Sequence, residues 1–243
     1  MDFFLYSLLN GLSLGLLLFL LASGLSLVYG LMGVLNFAHA SFYMLGAYLA
    51  YSLSVYIDWF YCLFLAPLIV ALLGGIFEYF GLRKIYAKGH AAEMLLTFGL
   101  AYVVLELVQL IWGKSPLASV LSPFWTQSAF FIGQYALSVL KVFMMLVSAS
   151  IALLLMLVLR FTKLGLIIEA ALTHPDALSS LGFNLKRLKT KVFMMGCGLA
   201  ALAGILGGQA FVTEPGMAIQ MGAMGFVIIV LGGLGSVAGA FWA

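Results

Sequence analysis

The stretch FFLYSLLNGLSLGLLLFLLASGLSLVYGL, residues 3–31, decides the fold, because it contains no charged side chain. A helix needs about 20 consecutive apolar residues to cross the hydrocarbon core of a bilayer. A cleaved signal peptide has a basic start followed by an apolar stretch of only about 7–15 residues. Here the apolar stretch is longer, and it is preceded by Asp2 and by no Lys or Arg. The stretch therefore predicts a retained first membrane span.

The rest of the chain has the same character. Of its 243 residues, 65% are hydrophobic and 8% are charged, and the mean hydropathy is +1.21. Soluble domains carry about 25% charged residues, so the composition excludes a soluble globular protein. The apolar runs are continuous rather than alternating, which disfavours a transmembrane β-barrel. There is no basic stripe for nucleic acid. The composition predicts an all-α, polytopic transmembrane helix bundle.

The apolar runs predict about seven spans within a single transmembrane domain, residues 1–243. These spans are residues 3–31, 34–57, 59–82, 94–112, 136–159, 192–212 and 218–231. Two connections are long. Residues 114–135 are rich in Ser, Pro and aromatic residues, and residues 160–191 are basic.

The positions of the basic residues predict the orientation of the chain. Nine of the eleven Lys and Arg residues lie in the connections after the third and fifth spans. Loops enriched in Lys and Arg stay in the cytoplasm. We therefore expect both connections to be cytoplasmic and the N-terminus to lie outside. The nine residues are Arg83, Lys84, Lys88, Arg160, Lys163, Lys186, Arg187, Lys189 and Lys191.

The loop of residues 160–191 predicts two short helices at the inner face. Apolar residues recur at helical spacing from Leu164 to Leu172. Pro175 ends this helix, Asp176 caps a second one through Leu181, and Gly182 suits the left-handed position that follows it. The resulting apolar ridge has two interpretations, a docking surface for another protein or a helix pair resting on lipid headgroups.

Four polar residues within the apolar spans are candidates for a solute path. Asn36 and His39 follow Gly30 and Gly33, a pattern typical of a discontinuous helix that lines such a path. The alternative is that Asn36 caps the second helix and His39 reaches the interface. Glu106 and Gln109 share one face toward the outer end of the fourth span. Glu78 lies near the inner boundary, where we expect it to reach water or pair with Arg83.

Close helix packing is predicted by three pairs of glycines spaced four residues apart, Gly11/Gly15, Gly204/Gly208 and Gly235/Gly239. Enzyme motifs are absent from the sequence. Gly113-Lys114-Ser115 resembles the end of a phosphate-binding loop, but Val108 replaces its required first glycine. Cys62 and Cys197 are too few for a disulfide framework or a zinc site. We therefore expect no enzyme activity, no cofactor and no metal.

One group of motifs resembles the signature of inner-membrane permeases of branched-chain amino-acid ABC importers. The motifs are GLSLVYGLMGVLNFAH at residues 24–39, YMLGAY at 43–48, LTFGL at 96–100 and LGGLGS at 231–236. Ala40 stands where that family usually has glycine, which adds a methyl group at a close-packed position. Family members continue past the final glycine-rich stretch, so we expect the C-terminal part of the family fold to be missing here.

The resemblance implies a transport subunit with partners. It implies a second permease, cytoplasmic ATP-binding subunits and an extracytoplasmic solute-binding protein, together importing branched-chain or related amino acids across the bacterial inner membrane. The implied path residues are Asn36, His39, Glu106 and Gln109. The implied ATPase-coupling residues in the 160–191 loop are Glu169, Ala170, Pro175, Asp176, Ala177, Leu181 and Gly182.

Three alternatives stay open on the sequence. Related permeases carry urea or short amides. A passive solute channel would need no ATPase contact, so its inner-loop helices would be idle. A membrane-embedded enzyme or assembly subunit ranks last, because the sequence contains no clustered catalytic residues.

Overall fold

The computed structural model describes residues 1–33, 35–117, 121–173, 178 and 180–243. Helices dominate this part of the chain, which confirms the all-α prediction. We number the main helices α1 (Asp2–Met32), α2 (His39–Leu53), α3 (Trp59–Phe77), α4 (His90–Trp112), α5 (Val139–Phe161), α6 (Lys163–Thr173), α7 (Leu185–Ala210), α8 (Met217–Leu231) and α9 (Val237–Trp242). Shorter helical turns are a π-helical turn at Glu78–Leu82, a turn at Arg83–Ile85, a 3₁₀ turn at Tyr86–Lys88 and a turn at Pro123–Thr126.

Five helical segments of the described chain are long and apolar enough to cross a membrane. They are α1, α3 with its continuation to Lys88, α4, α5 and α7. The second and seventh predicted spans correspond to α2 and α8, which have 15 residues each. At 1.5 Å per residue such a helix is roughly 22 Å long, shorter than the ~30 Å hydrocarbon core. The number of complete crossings therefore stays a prediction.

Asn36 explains why α2 is short. The Asn36 Oδ1 atom accepts a hydrogen bond from the Ala38 amide at 3.1 Å, and the Asn36 carbonyl accepts one from the His39 amide at 3.1 Å. An Asn side chain that bonds the backbone two residues on holds a turn in place of a helix. The second helix therefore begins at His39, and the predicted start near residue 34 is wrong.

The core forms where α7 packs against α1, α2 and α3. A Cβ atom on Gly204 would overlap the carbonyl of Tyr43, and one on Gly46 would overlap the backbone of Ala201. Small residues let backbones approach closely where lipid supplies no hydrophobic drive. The close contact predicted for Gly204 and Gly208 is confirmed. The prediction is wrong for Gly11 and Gly15, which have no atom of the described chain within 4 Å of a Cβ position.

The two basic connections lie at the same end of the bundle, as the sequence predicted. Thr190, at the start of α7, donates a hydrogen bond to Glu78 Oε2 at the end of α3. The Lys189 Nζ atom lies 4.6 Å from the centre of the Tyr86 ring. We call this the basic end.

The opposite end carries a β-hairpin that the sequence did not predict. Strands β1 (Ser128–Ile132) and β2 (Tyr135–Ser138) pair antiparallel. Gly133, with φ 59°, supplies the positive φ that a two-residue hairpin loop requires. The Tyr135 ring stacks on Tyr6 of α1 at 5.0 Å. We call this the hairpin end.

We expect Gly204→Ala to destabilise the bundle, because the added methyl group must push α7 away from the Tyr43 carbonyl. Overpacking of this kind costs about 1–3 kcal/mol. The measurement is the temperature at which detergent-solubilised protein loses its monodisperse chromatographic peak. Gly15→Ala is the matched control, since nothing surrounds its Cβ position. If both variants lost the monodisperse peak at the same temperature, close packing of α7 on Tyr43 would be contradicted.

Candidate functional site

A cavity of about 470 Å³ lies between α1, α2, α4 and α8. This volume falls within the range of about 300–1,000 Å³ that small-molecule sites occupy. The walls are mostly apolar, and the polar side chains are few: Asn36, His39, Ser41 and Tyr102. A site of this composition accommodates a small solute with a substantial apolar part and a few polar groups.

Asn36 and His39 both line this cavity, and their part in a solute path stays a prediction. Asn36 is 3% exposed and His39 is 2% exposed. The His39 Nε2 atom lies 3.1 Å from the Leu21 carbonyl oxygen. Because a carbonyl can only accept, Nε2 carries the proton, and Nδ1 of the neutral ring is then an acceptor. Among the described residues, neither His39 Nδ1 nor Asn36 Nδ2 has a hydrogen-bond partner.

The two short helices both contribute to the cavity. The first residues of α2 line one wall, and residues 218–226 of α8 contribute to another. Ala40 of α2 faces Gly222 of α8, where an added Cβ atom would lie 2.8 Å from the Ala40 methyl group. The methyl group that Ala40 adds at this position is therefore accommodated by a glycine opposite it.

Aromatic rings form a wall that the sequence did not single out as functional. The Phe37 ring stacks on Phe226 of α8, with centroids 5.7 Å apart, and meets the edge of Phe98 of α4 at 6.1 Å. The Phe37 amide donates a hydrogen bond to Thr97 Oγ1 at 3.3 Å. Thr97 and Phe98 belong to the LTFGL motif, which was a signal for these positions. The motif thus ties the turn before α2 to α4.

Glu106 and Gln109 do not line the cavity. Phe98, Tyr102 and Leu105 of α4 form its wall. Glu106 lies four residues beyond Tyr102, and Gln109 four residues beyond Leu105. One turn of helix separates such positions by about 5.4 Å, so both continue the same stripe toward the hairpin end. Glu106 is exposed and Gln109 is partly buried.

Two of the predicted coupling residues, Glu169 and Ala170, belong to α6. The predicted helix is present, and it has a buried apolar side: Ile168 and Ala171 are buried in one cluster with Leu31 of α1. The predicted apolar face is only partly right, since Leu164 is exposed. Pro175, Asp176 and Ala177 lie outside the described residues.

The other two coupling residues, Leu181 and Gly182, lie in the second half of the 160–191 loop. Gly182 has φ 84°, the left-handed conformation that the sequence predicts. The Phe183 amide donates to the Leu178 carbonyl at 3.2 Å, as expected after a helix that ends in a left-handed glycine. Leu181 and Phe183 are both exposed. The apolar side chains here face away from the bundle.

Glu78 forms a buried network at the basic end. It is 0% exposed, and its Oε1 atom accepts a hydrogen bond from the Tyr86 hydroxyl at 2.5 Å. Its Oε2 atom accepts one from Thr190 of α7. The predicted pairing with Arg83 is wrong: the Arg83 guanidinium lies 5.0 Å from the centre of the Tyr79 ring. Thr190 is far from Glu78 in sequence, so no local spacing pointed to this contact.

The fold defines the class of this protein as an all-helical membrane protein with several spans. Comparison with known families is more specific. The chain belongs to the family described as branched-chain amino acid transport system, permease component, which matches residues 7–243. This confirms the resemblance drawn from the motifs. The family is one of transport permeases and not of enzymes.

Individual relatives agree with the family match. The chain is 28% identical to the high-affinity branched-chain amino acid transport system permease protein LivH of Salmonella typhimurium, over 98% of this chain and 82% of that protein. It is 26% identical to the corresponding permease BraD of Pseudomonas aeruginosa, over 98% of this chain and 81% of that protein. It is also 28% identical to the permease LivM of Escherichia coli, over 92% of this chain and 58% of that protein. No solved structure matches the chain.

We expect Tyr86→Phe to destabilise the protein, because it removes one of the two donors to the buried Glu78 carboxylate. Leaving a buried acceptor short of a partner costs about 1–3 kcal/mol. Thermal unfolding of the purified variant in detergent measures the loss. Tyr56→Phe is the matched control, since Tyr56 is exposed. If the two variants unfold at the same temperature, the network does not stabilise the basic end.

Proposed function

We propose that this protein is the permease subunit of an ATP-driven importer for branched-chain or related amino acids in the bacterial inner membrane. Residues 1–243 act as one transmembrane permease domain, and residues 160–191 act as its cytoplasmic coupling loop. A second permease completes the path, ATP-binding subunits drive it, and an extracytoplasmic binding protein delivers the solute. The cavity at the start of α2 is the single observation that carries the solute-path part of this proposal.

The chemistry of the cavity suits an amino acid with an apolar side chain. Two residues that line it carry buried polar atoms without a hydrogen-bond partner within the described chain, the donor Asn36 Nδ2 and the acceptor His39 Nδ1. A carboxylate accepts hydrogen bonds and an ammonium group donates them. The apolar side chain would lie against the wall formed by Phe98 and Phe226. Glu106 and Gln109 would line the outer approach to this position.

The orientation we propose places the basic end in the cytoplasm and the hairpin end outside. It rests on the clustering of nine basic residues at one end, in the sense of the positive-inside rule. The first residues of α1 pack beside the hairpin, so this orientation puts the N-terminus outside. The coupling loop then faces the compartment that contains ATP.

The structure suggests how a coupling loop can act on the cavity. The outer surface of the loop presents the exposed apolar side chains of Leu166, Leu181 and Phe183 to an ATP-binding subunit. Its inner surface packs on Leu27 and Leu31 of α1. Leu21 and Leu25 of the same helix line the cavity. A displacement of the loop would be carried along α1 as a rigid element.

Assembly and transport test the proposal together. The protein is purified from mild-detergent extracts of its native membranes, and the co-purifying subunits are identified by mass spectrometry. Vesicles reconstituted with the complex are then assayed for uptake of leucine, with urea and acetamide as competitors. We expect ATP-binding subunits in the complex and ATP-dependent leucine uptake. Uptake without ATP, or urea transport in preference to leucine, would contradict it.

We expect His39→Leu to lower leucine uptake more than it lowers the amount of protein in the membrane. The change removes the buried, unpaired acceptor Nδ1 of a residue that lines the cavity, and it replaces the imidazole with an apolar side chain of similar volume. Uptake normalised to immunoblot signal is the measurement, and His90→Leu, at an exposed position, is the control. Parallel loss of protein and uptake would instead assign His39 to packing.

We expect Gly182→Val to uncouple ATP hydrolysis from uptake, because a β-branched residue cannot easily adopt φ 84°. The loop would then meet the ATP-binding subunit in an altered conformation. The ratio of ATP hydrolysed to leucine imported should rise. Gly182→Asn is the matched variant, since Asn tolerates the left-handed region, and it should keep the ratio near normal. Unchanged coupling in the valine variant would refute a conformational role.

A further inference from the structure

The β1–β2 hairpin has one packed face and one open face. Phe130 pairs with Leu137 across the two strands, and Leu137 is 1% exposed, so the β2 part of this face packs on the bundle, whereas Phe130 is 43% exposed. Phe131 pairs with Ala136, and side chains alternate between the faces of a strand. Phe131 is 70% exposed. A large aromatic side chain therefore stands on the open face with an exposed alanine beside it.

We propose that this open face, centred on Phe131, is a membrane-interface anchor that lies in the lipid headgroup region at the hairpin end. The anchor is independent of the transported solute and of ATP coupling. It would hold the ends of α1 and α5 at a fixed depth in the bilayer.

The surroundings of the hairpin support a lipid partner. The Gly133 backbone lies against the Asp2 side chain, Tyr135 stacks on Tyr6, and Lys141 Nζ donates to Asn10 Oδ1. The hairpin thus runs beside the first three turns of α1. The neighbouring side chains on those turns are exposed and apolar, namely Phe3, Phe4, Leu5 and Leu8. The hairpin therefore lies beside an exposed apolar surface of α1.

The composition of the connection favours lipid over a soluble protein. Residues 115–140 contain no Asp, Glu, Lys, Arg or His, but they include Phe124, Trp125, Phe130, Phe131 and Tyr135. Aromatic side chains concentrate at the level of the headgroups on both sides of a membrane. A surface that docks a soluble protein has a polar rim, with charges that guide the encounter. The exposed part of this connection offers aromatic surface without such charges.

The depth follows from the hydrogen bonding of the backbone. A two-stranded hairpin has two outer edges whose backbone groups are not paired within the sheet. Such edges are excluded from the hydrocarbon interior, where no water satisfies them. At the headgroup level, water and lipid phosphates can hydrogen bond with these edges. The aromatic ring of Phe131 then reaches the upper part of the acyl chains.

Spin-label accessibility tests the anchor directly. Phe131→Cys is labelled with a nitroxide, and the full chain is reconstituted into vesicles of phosphatidylethanolamine and phosphatidylglycerol. Native Cys62 and Cys197 are both 0% exposed, which directs the label to the introduced thiol. Collision rates with oxygen, which concentrates in lipid, are compared with those of a water-soluble nickel chelate. Ala136→Cys, on the same face, gives a second independent reading if the first variant inserts poorly.

Three reference positions calibrate the result. Phe64→Cys, on the exposed face of α3, reports lipid; Lys186→Cys, at the basic end, reports water; Leu137→Cys reports the packed face. We expect positions 131 and 136 to show an excess of oxygen over nickel collisions, as at position 64.

Other patterns would overturn the proposal. An excess of nickel collisions, as at position 186, would place the hairpin in water. Low collision rates for both reagents, as at position 137, would mean that protein covers the face. Nickel accessibility that falls only when an extracytoplasmic binding protein is added would identify a docking surface for that protein. None of these outcomes bears on whether the chain transports amino acids, so the two proposals fail separately.

Discussion

The hydrogen bond from the Ala38 amide to the Asn36 side chain is the interaction on which the rest of the site depends. It holds a turn within an apolar stretch that would otherwise continue as helix, and so it fixes the start of α2 at His39. Without that turn, His39 would not be placed to donate to the Leu21 carbonyl, and Phe37 would not reach Phe226. A polar turn is costly among apolar helices, and its cost is offset because most of its polar groups are paired within the protein.

The backbone contacts of α7 fix the position of the Asn36 turn. Gly46 and Gly204 bring α2 and α7 into contact at the level of the main chain, and Gly24 brings α1 against the Gly196 carbonyl in the same way. Contacts between backbones leave little freedom for sliding, since any side chain larger than hydrogen would separate the helices. The cavity therefore has one rigid side, formed by α1 and α2 on α7, and a second side formed by α4 and α8.

Sequence reasoning found the polar half of the site and missed its aromatic half. Asn36 and His39 stand out because polar residues are rare in an uncharged span. Phe98 and Phe226 do not stand out, because in an apolar helix a lipid-facing phenylalanine and a cavity-lining one have the same sequence pattern. Glu106 and Gln109 share the stripe of α4 that lines the cavity but lie beyond Leu105, its last lining residue on this helix, so their part in a solute path stays a prediction.

Two further features, the partners of Glu78 and the β-hairpin, also depend on tertiary contacts or on local patterns that the sequence does not display. The Glu78 carboxylate accepts hydrogen bonds from Tyr86 and from Thr190 of another helix in place of pairing with Arg83, and no local spacing predicts a contact with a distant helix. The β-hairpin was missed because its strands are short and its polar and apolar residues do not alternate, since β1 has two adjacent phenylalanines and a bulge. The presence of the long helices and the location of both basic loops at one end were predictable from the sequence. Hydropathy indicates which segments span the bilayer, and the distribution of basic residues indicates which loops share a side, without knowledge of how the helices pack.

Thiol accessibility tests whether the cavity beside the start of α2 is the path of the solute. Ala223 lines this cavity. In the assembled importer, Ala223→Cys would be treated with a charged methanethiosulfonate reagent, with and without ATP and leucine. If the solute passes through this cavity, ATP turnover accelerates the modification of the introduced thiol and leucine slows it. A modification rate that responds to neither ATP nor leucine would contradict the assignment of this cavity to transport.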